Sequence, residues 1–407
     1  LYFVRLRILH FMFSRLQPVA TDPILGLMAA YKEDPNPLKV DLGVGVYKDE
    51  AGHTAVLDCV KKAEKLRLDH EDSKTYIGMA GDLSFNAHIE KLAFGPHKVL
   101  LEGRTTTAHT PGGTGALRVA AEFIKKANPD ATIWVTTPTW ANHISMFQAA
   151  GLKVKEYAYY DYDTKGLKEE AMFADLATVP AGDVVLVHAC CHNPSGMDLN
   201  FAQWQKFTAL AKERGFTPLV DMAYQGFGLG LDEDTQGLRY LANEVEELIL
   251  CTSCSKNFGL YRERIGAVSI VVDSNKMLET ARTNLLAVVR SIYSMPPAHG
   301  AIIVSHILDS TELTALWHQE LAVMRNRIND YRQLIIDKLQ AEGVQQDFSF
   351  ITKQHGMFSF LGIQKEQIER LRKEFSIYMV GSSRVSIAGL NHSNIDYFAK
   401  AVATVLK

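Results

Sequence analysis

Leu248-Ile249-Leu250-Cys251-Thr252-Ser253-Cys254-Ser255-Lys256-Asn257-Phe258-Gly259, closed by Arg264 and Gly266, is the stretch on which the fold of this chain turns. Its first four residues carry no charge and read as a buried strand. Lys256 therefore emerges among small hydroxylated residues where a strand opens into a loop. A half-buried ammonium at such a place is driven toward its neutral, nucleophilic form. Taken alone, a lysine there is more often a solvated surface group, because burial disfavours the charge.

Three further segments repeat the pattern of an apolar run ending in polar chemistry. Pro218-Leu219-Val220-Asp221-Met222-Ala223-Tyr224 ends on an acid and, three residues later, a phenol. Ligands of open α/β sheets sit outside the carboxyl ends of strands; the competing reading makes Asp221 a helix cap and Tyr224 a core aromatic. Thr110-Pro111-Gly112-Gly113-Thr114-Gly115-Ala116-Leu117-Arg118 is a glycine-rich turn between Thr105-Thr106-Thr107 and a helical pattern over residues 119–126. Such a turn lets backbone N–H groups approach an anion at a helix start, although a plain tight turn has the same composition. It fits neither nucleotide fingerprint, since Arg118 stands where the dinucleotide motif needs a small residue and the P-loop Gly-Lys pair is missing.

The third segment, Asp183-Val184-Val185-Leu186-Val187-His188, runs into Cys190-Cys191-His192-Asn193-Pro194-Ser195-Gly196. Asn193, preceding proline, is held away from the helical region and can project its amide from the strand end. A metal reading would use His188, Cys190 and His192, on one face at strand period two. No second cluster with zinc spacing accompanies them, and no metal is expected. That reading would make the chain a metal-dependent hydrolase, colourless and sensitive to chelators.

Composition is permissive. The chain has 407 residues, 47% of them hydrophobic, enough for a large core and two globular units. A net charge of -3 argues against a nucleic-acid surface and against bulk steering of anions. Its five cysteines, two of them adjacent, do not form a disulfide framework and suit a reducing compartment. From about residue 104 to 272 apolar runs alternate with amphipathic ones such as residues 202–214, which predicts an α/β fold with a mostly parallel sheet. Residues 313–342 read as one long amphipathic helix, and residues 348–360 and 384–388 as strands of a smaller α+β domain.

These motifs together resemble the class I pyridoxal-phosphate aminotransferases, in their aspartate and aromatic amino-acid branch. The likeness is carried, in order, by Pro-Gly-Gly-Thr-Gly-Ala-Leu-Arg at 111–118, Pro-Thr-Trp-Ala-Asn-His at 138–143, His-Asn-Pro-Ser-Gly at 192–196, Asp-Met-Ala-Tyr-Gln-Gly-Phe at 221–227 and Ser-Cys-Ser-Lys-Asn-Phe-Gly-Leu-Tyr-Arg-Glu-Arg-Ile-Gly at 253–266. It extends from about residue 22 to the C-terminus.

The resemblance implies the type I fold of pyridoxal-phosphate enzymes, with a large domain over residues 51–322 and a small α+β domain from 12–50 plus 323–407. It implies that Lys256 forms a Schiff base with the cofactor aldehyde and serves as general base, with Asp221 against the pyridine nitrogen. Tyr224 and Asn193 would donate to the phenolic oxygen, Trp140 would stack on the ring, and His143 would orient Asp221 from behind. Gly113, Thr114, Ser253, Ser255 and Arg264 would hold the phosphate, joined by Tyr76 from the neighbouring subunit. The substrate α-carboxylate would fall to Arg384, assisted by Asn193 and Gly45. Arg290 would cross from the partner subunit of a homodimer to the distal carboxylate of aspartate or glutamate.

The implied reaction is reversible, ping-pong amino transfer between L-aspartate and 2-oxoglutarate, with aromatic amino acids as further substrates. Met295 and Thr75 stand where the aspartate enzymes usually carry asparagine, which makes the pocket more apolar. Val46, Lys48, Thr54 and Thr114 follow the aspartate pattern, so dicarboxylates are the expected substrates. Residues 1–13 are apolar but broken by Arg5, Arg7 and His10, too short and too charged to span a bilayer. Met12-Phe13-Ser14 and Asp22-Pro23-Ile24-Leu25 resemble the start of bacterial members, so residues 1–11 are expected to be an extra upstream segment and the location the cytoplasm. A mitochondrial transit peptide is the alternative, since no acid precedes Asp22.

Overall fold

Strand-forming apolar runs return at regular intervals through the middle of the chain, and in the structure, a computed structural model, they build one seven-stranded sheet. Residues 12–18 and 23–407 are described; the expected extra segment 1–11 and Asp22 of the start motif lie outside them. In chain order the strands are β1 (Thr105–Pro111), β2 (Thr132–Thr137), β3 (Lys153–Ala158), β4 (Val184–His188), β5 (Thr217–Met222), β6 (Leu248–Ser253) and β7 (Ile265–Val271), arranged β1-β7-β6-β5-β4-β2-β3.

Both faces of the sheet are covered, which is why its strands read as continuous apolar runs rather than as alternating ones. Along β6, Leu248 and Leu250 join the core that holds Trp204, Phe207 and Leu241, while Ile249 and Cys251 join the one that holds Leu117, Phe147 and Leu285. Neighbours from β6 to β3 pair in parallel, whereas β7 is antiparallel to both β6 and β1. The physical reason lies in the link between β6 and β7, residues 254–264, which is shorter than the dozen or so residues a parallel crossover needs. The chain turns back on itself instead, and Lys256 sits in that turn.

Outside the sheet, Val40–Asp41 pairs in parallel with Ile377–Tyr378, and Phe358–Phe360 pairs antiparallel with Arg384–Ser386. The long helix is Thr311–Ala341, begun by Ser310, whose hydroxyl accepts the Leu313 N–H at 3.2 Å. The expected strand over 348–360 is corrected: Ser349–Lys353 forms a 3-10 turn and only Phe358–Phe360 is a strand. The Asp347 carboxylate accepts from the Ser349 N–H at 2.7 Å and its hydroxyl at 3.0 Å, so a local side chain competes with the ladder. Residues 384–388 likewise split into Arg384–Ser386 and a 3-10 turn, Ile387–Gly389. The helix expected from residue 119 begins at Gly112, so the glycine-rich turn is itself a helix start. No helix among the described residues is long and apolar enough to cross a membrane.

The long helix fixes the turn beyond Lys256. Trp317 is fully buried, its indole Nε1 donates to the Asn257 carbonyl at 2.7 Å, and its ring stacks on Phe258 at 4.3 Å and 7°. Trp317→Ala is expected to cost about 3–5 kcal/mol through the cavity it opens. Trp317→Phe, which keeps the stack and strands the carbonyl, should cost about 1–3 kcal/mol. Equilibrium denaturant unfolding of the two variants reads both values, and equal losses would deny the hydrogen bond a separate contribution.

Candidate active site

Parallel pairing puts the carboxyl ends of β2, β4, β5 and β6 on one edge of the sheet, and the two antiparallel pairings of β7 bring the end of β1 and the start of β7 to the same edge. The polar residues that follow those ends therefore converge. They line a cavity of about 280 Å³ that holds Gly45, Gly113, Thr114, Trp140, Asn193, Asp221, Tyr224, Ser253, Ser255, Lys256, Arg264 and Arg384.

At the centre Asp221 and Lys256 face the same space. The Asp221 carboxylate accepts from His143 Nε2 at 3.1 Å, and His143 Nδ1 meets the Thr139 hydroxyl at 2.8 Å. Burial pushes the Asp221 pKa up, but the His143 hydrogen bond and the charges of His143, His188 and Lys256 outweigh it, leaving the group below the usual carboxylate range. Asp221 lies within the end of β5, one residue before its last, and precedes no helix, so the capping reading fails. His143 itself is fully buried behind Asp221 and does not line the cavity.

Lys256 reaches the cavity with its Nζ 4.5 Å from the Tyr224 ring centroid. Burial lowers its amine pKa to about 8; Asp221 pulls the value up and Arg264 pushes it down. Roughly a tenth of the amine is therefore unprotonated at pH 7, far more than for a free lysine. Burial raises the Tyr224 phenol, with Arg384 opposing, so it remains a donor.

One end of the cavity is an anion cradle. The helix Gly112–Ala127 starts there with Gly113 and Thr114. Ser253 Oγ donates to Ser255 Oγ at 3.1 Å, and Arg264 Nη1 reaches Ser255 Oγ at 3.5 Å. Glycine is required at two points of this approach. A Cβ at Gly112, which has φ +77°, would fall 2.3 Å from Arg264 Nη2, and one at Gly266 would fall 2.5 Å from the Thr252 carbonyl oxygen.

The other end is built by the C-terminal part of the chain. Arg384 is 5% exposed; its Nη1 donates to Asn193 Oδ1 at 3.3 Å and its Nη2 to the Gly43 carbonyl at 2.7 Å, while its Nε is buried without a partner. The guanidinium lies 4.1 Å over the Phe358 ring, and a Cβ at Gly45 would fall 2.7 Å from Phe358 Cζ. Among the described residues no carboxylate pairs with Arg384. A buried guanidinium left in that state is built to receive an anion from outside the chain.

Two expected site residues are elsewhere. Tyr76 is 89% exposed, and Arg290 is an exposed helix-end residue that donates to its neighbour Ser294 Oγ. Neither lines the cavity of its own chain. Sequence reasoning missed Phe358, Tyr261 and Leu117 in the wall, and it gave His188 a different role. Tyr261 lay within the lysine motif and could have been found; Phe358 had no local signal. The three metal candidates do not form one cluster: the His188 and His192 rings meet at 4.5 Å, but Cys190 is not with them. Only His188 is in the strand, and Cys191 at φ +52° turns the chain so that the period-two face is lost. The His192 ring nitrogens meet Thr136 Oγ1 at 3.0 Å and Ser195 Oγ at 2.8 Å, and Cys190 lies with Cys191 and Asp234 instead.

Acylation of Lys256 in the cofactor-free protein by a small amine-reactive reagent, followed by peptide mass spectrometry, should rise with pH through a midpoint near 8. Because the Asp221 charge raises that pKa, Asp221→Asn should move the midpoint lower; an upward shift would contradict the geometry.

Comparison with known proteins agrees with this architecture. The family model for aminotransferase class I and II matches residues 37–402. An aspartate aminotransferase of Salmonella typhi is 49% identical over 396 residues, which cover 97% of this chain and all of the relative. An aromatic-amino-acid aminotransferase of Pseudomonas aeruginosa is 45% identical over 394 residues, covering 97% of this chain and 98% of the relative. The crystal structure of an aromatic-amino-acid aminotransferase from Burkholderia pseudomallei, covalently bound to pyridoxal phosphate, superposes with a TM-score of 0.96 at 42% identity, covering 98% of this chain and all of the other. The family match encloses the cavity wall from Gly45 to Arg384, and the chain belongs to the class I and II aminotransferases.

Proposed function

We propose that the chain is an aspartate aminotransferase that moves an amino group between L-aspartate and 2-oxoglutarate, giving oxaloacetate and L-glutamate, and also accepts aromatic amino acids. The observation that carries this reading is the meeting in one cavity of a reactive amine, an ionised carboxylate and a buried guanidinium that no acid among the described residues pairs. The relatives support both substrate classes, since aspartate and aromatic enzymes stand at similar identity.

The cofactor is pyridoxal phosphate, and the cavity fits it: a primary amine to hold an aldehyde, a helix start with two serines and an arginine for a phosphate, and a carboxylate kept charged for a ring nitrogen. When bound, it supplies an electron-withdrawing ring that accepts the electron pair left as the substrate Cα loses its proton. Lys256, Asp221 and Tyr224 are the catalytic residues in this reading. Lys256 Nζ takes the proton from Cα, at a pKa near working pH. Asp221 stays ionised because His143 donates to it and Thr139 fixes the imidazole in turn. Trp140 would stack on the ring, Tyr224 and Asn193 would donate to its phenolic oxygen, and Gly113, Thr114, Ser253, Ser255 and Arg264 would hold the phosphate. Arg384 takes the α-carboxylate in fork geometry, with Asn193 and Gly45 beside it.

Tyr76 and Arg290 of the partner subunit complete the site of a homodimer, a reading supported by their exposure and by their absence from the cavity wall of their own chain. Met295, beside Arg290, leaves the distal end apolar enough for aromatic side chains. The division into a large domain at 51–322 and a small one at 12–50 plus 323–407 is supported by the pairing of Val40–Asp41 with Ile377–Tyr378, which ties the two ends of the chain together. Bacterial relatives and five free, buried cysteines support a cytoplasmic location.

Amino transfer measured with a panel of donors tests the substrate reading. Arg290→Ala should cut kcat/KM for aspartate by about a hundredfold or more, as expected when one partner of an ion pair is removed, and leave phenylalanine within about threefold. Equal losses would remove Arg290 from side-chain recognition. Mixing the inactive variants Lys256→Ala and Arg290→Ala should restore roughly a quarter of wild-type aspartate activity, from mixed dimers with one intact site each; no recovery would rule out shared sites.

A further inference from the structure

Behind Asn193 lies a carboxylate with no part in the chemistry above. Asp198 Oδ2 accepts the Cys191 N–H at 2.7 Å and its Oδ1 accepts the His192 N–H at 2.8 Å. Cys191 has φ +52°, so two successive N–H groups turn toward one point and form a small anion-binding concavity, which Asp198 fills from within the chain. The next residue is Asn193, 8% exposed, whose Oδ1 receives Arg384 Nη1.

The same loop is braced from the C-terminal side. Arg332, 2% exposed on the long helix, donates to the Gly356 carbonyl and the Ser359 hydroxyl, and to the Phe358 carbonyl at 3.1 Å. Gly356 abuts the loop so closely that a Cβ there would fall 2.4 Å from Cys191 Cβ, and the His355 N–H donates to the Gly196 carbonyl at 2.7 Å. Arg384 is thus held between two supports, the Asn193 amide and the Phe358 ring. Arg332 sets the backbone under the second and Asp198 the backbone under the first.

We propose that Asp198 is a positioning residue for the substrate α-carboxylate site: by holding the Cys191 and His192 amides it aims the Asn193 side chain at Arg384. The inference rests on the aminotransferase reading for what Arg384 binds. Burial pushes the Asp198 carboxyl up to about 7, with the His192 and Cys191 N–H groups opposing; in its ionised form both oxygens accept, which suits it to the task. An asparagine would accept with one atom and set an NH2 group against an N–H, tilting the turn without emptying it. The disturbance should fall on carboxylate binding and leave Lys256 and Asp221 alone, since both come from other strand ends.

The experiment is a cycle on the full holoenzyme with Asp198→Asn, Asn193→Ala and the double variant. Asp198→Asn should raise KM for aspartate roughly tenfold with kcat within about threefold, while the melting temperature stays near wild type. In the Asn193→Ala background the same change should alter KM less than about twofold, because the residue through which it acts is gone. Asp198→Glu, which keeps both acceptor oxygens, should recover part of the loss and serves as the second variant if Asp198→Asn does not fold. Equal fold-changes in both backgrounds, or kcat and melting temperature falling together with KM unchanged, would overturn the proposal. Calorimetric binding of succinate, an unreactive dicarboxylate, reads the same coupling without turnover. Coupled succinate binding in a chain that transfers no amino group would sink the functional reading and leave the Asp198 inference standing.

Discussion

A carboxylate that stays charged inside the protein is the constraint from which the rest of the site follows. Asp221 is buried, and burial alone would favour its neutral form. It is kept ionised by a hydrogen bond from an imidazole that is fixed in turn by a threonine, and by the nearby amine of Lys256. The arrangement is reciprocal. Asp221 moderates the fall in the Lys256 pKa that burial would otherwise cause, so the amine titrates near working pH instead of being locked in one state. The aminotransferase chemistry proposed for the chain needs both halves: a fixed negative charge for a heterocyclic nitrogen, and an amine that can both hold and release a proton.

The sheet delivers these groups because strand direction is uniform where it matters. Parallel neighbours from β6 to β3 put Lys256, Asp221, Asn193 and Trp140 beyond the same edge. The antiparallel strand β7 brings Arg264 to that edge by its start rather than its end, and seats Gly266 against Thr252 and Gly112 so tightly that any side chain would collide. A short link that could not make a crossover thus serves the site: it forms the turn that carries Lys256 and returns with the arginine of the anion cradle.

At the opposite end the cavity is closed by groups far away in sequence. Arg384, Phe358 and Gly45 meet Asn193 from segments that flank the large sheet on both sides of the chain. The guanidinium there has hydrogen bonds to an amide and a carbonyl but, among the described residues, no acid, a state that burial makes costly unless a ligand supplies the charge. The supports under it, Arg332 from below and the Asp198-held turn beside it, are rigid backbone contacts, which suits a group that must hold one geometry for every substrate the enzyme turns over.

By itself the sequence determined the α/β class, the mostly parallel sheet, the long helix expected over 313–342, the family, and most of the residues that line the cavity at strand ends. Those are local signals: an apolar run, a polar end, a glycine turn. It misread 348–360 because Phe348, Phe350 and Phe358 look like strand residues, whereas the Asp347 side chain pulls the chain into a turn. It could not find Phe358, whose place depends on a pairing with Arg384, nor the reversal of β7, nor the backing of Asp221 by Thr139. Only the tertiary structure decided which titrating group faces which, because a pKa depends on burial and on neighbours brought in from other segments. Residue types fixed what chemistry was available, and the packing of distant strand ends set the distances at which it can act.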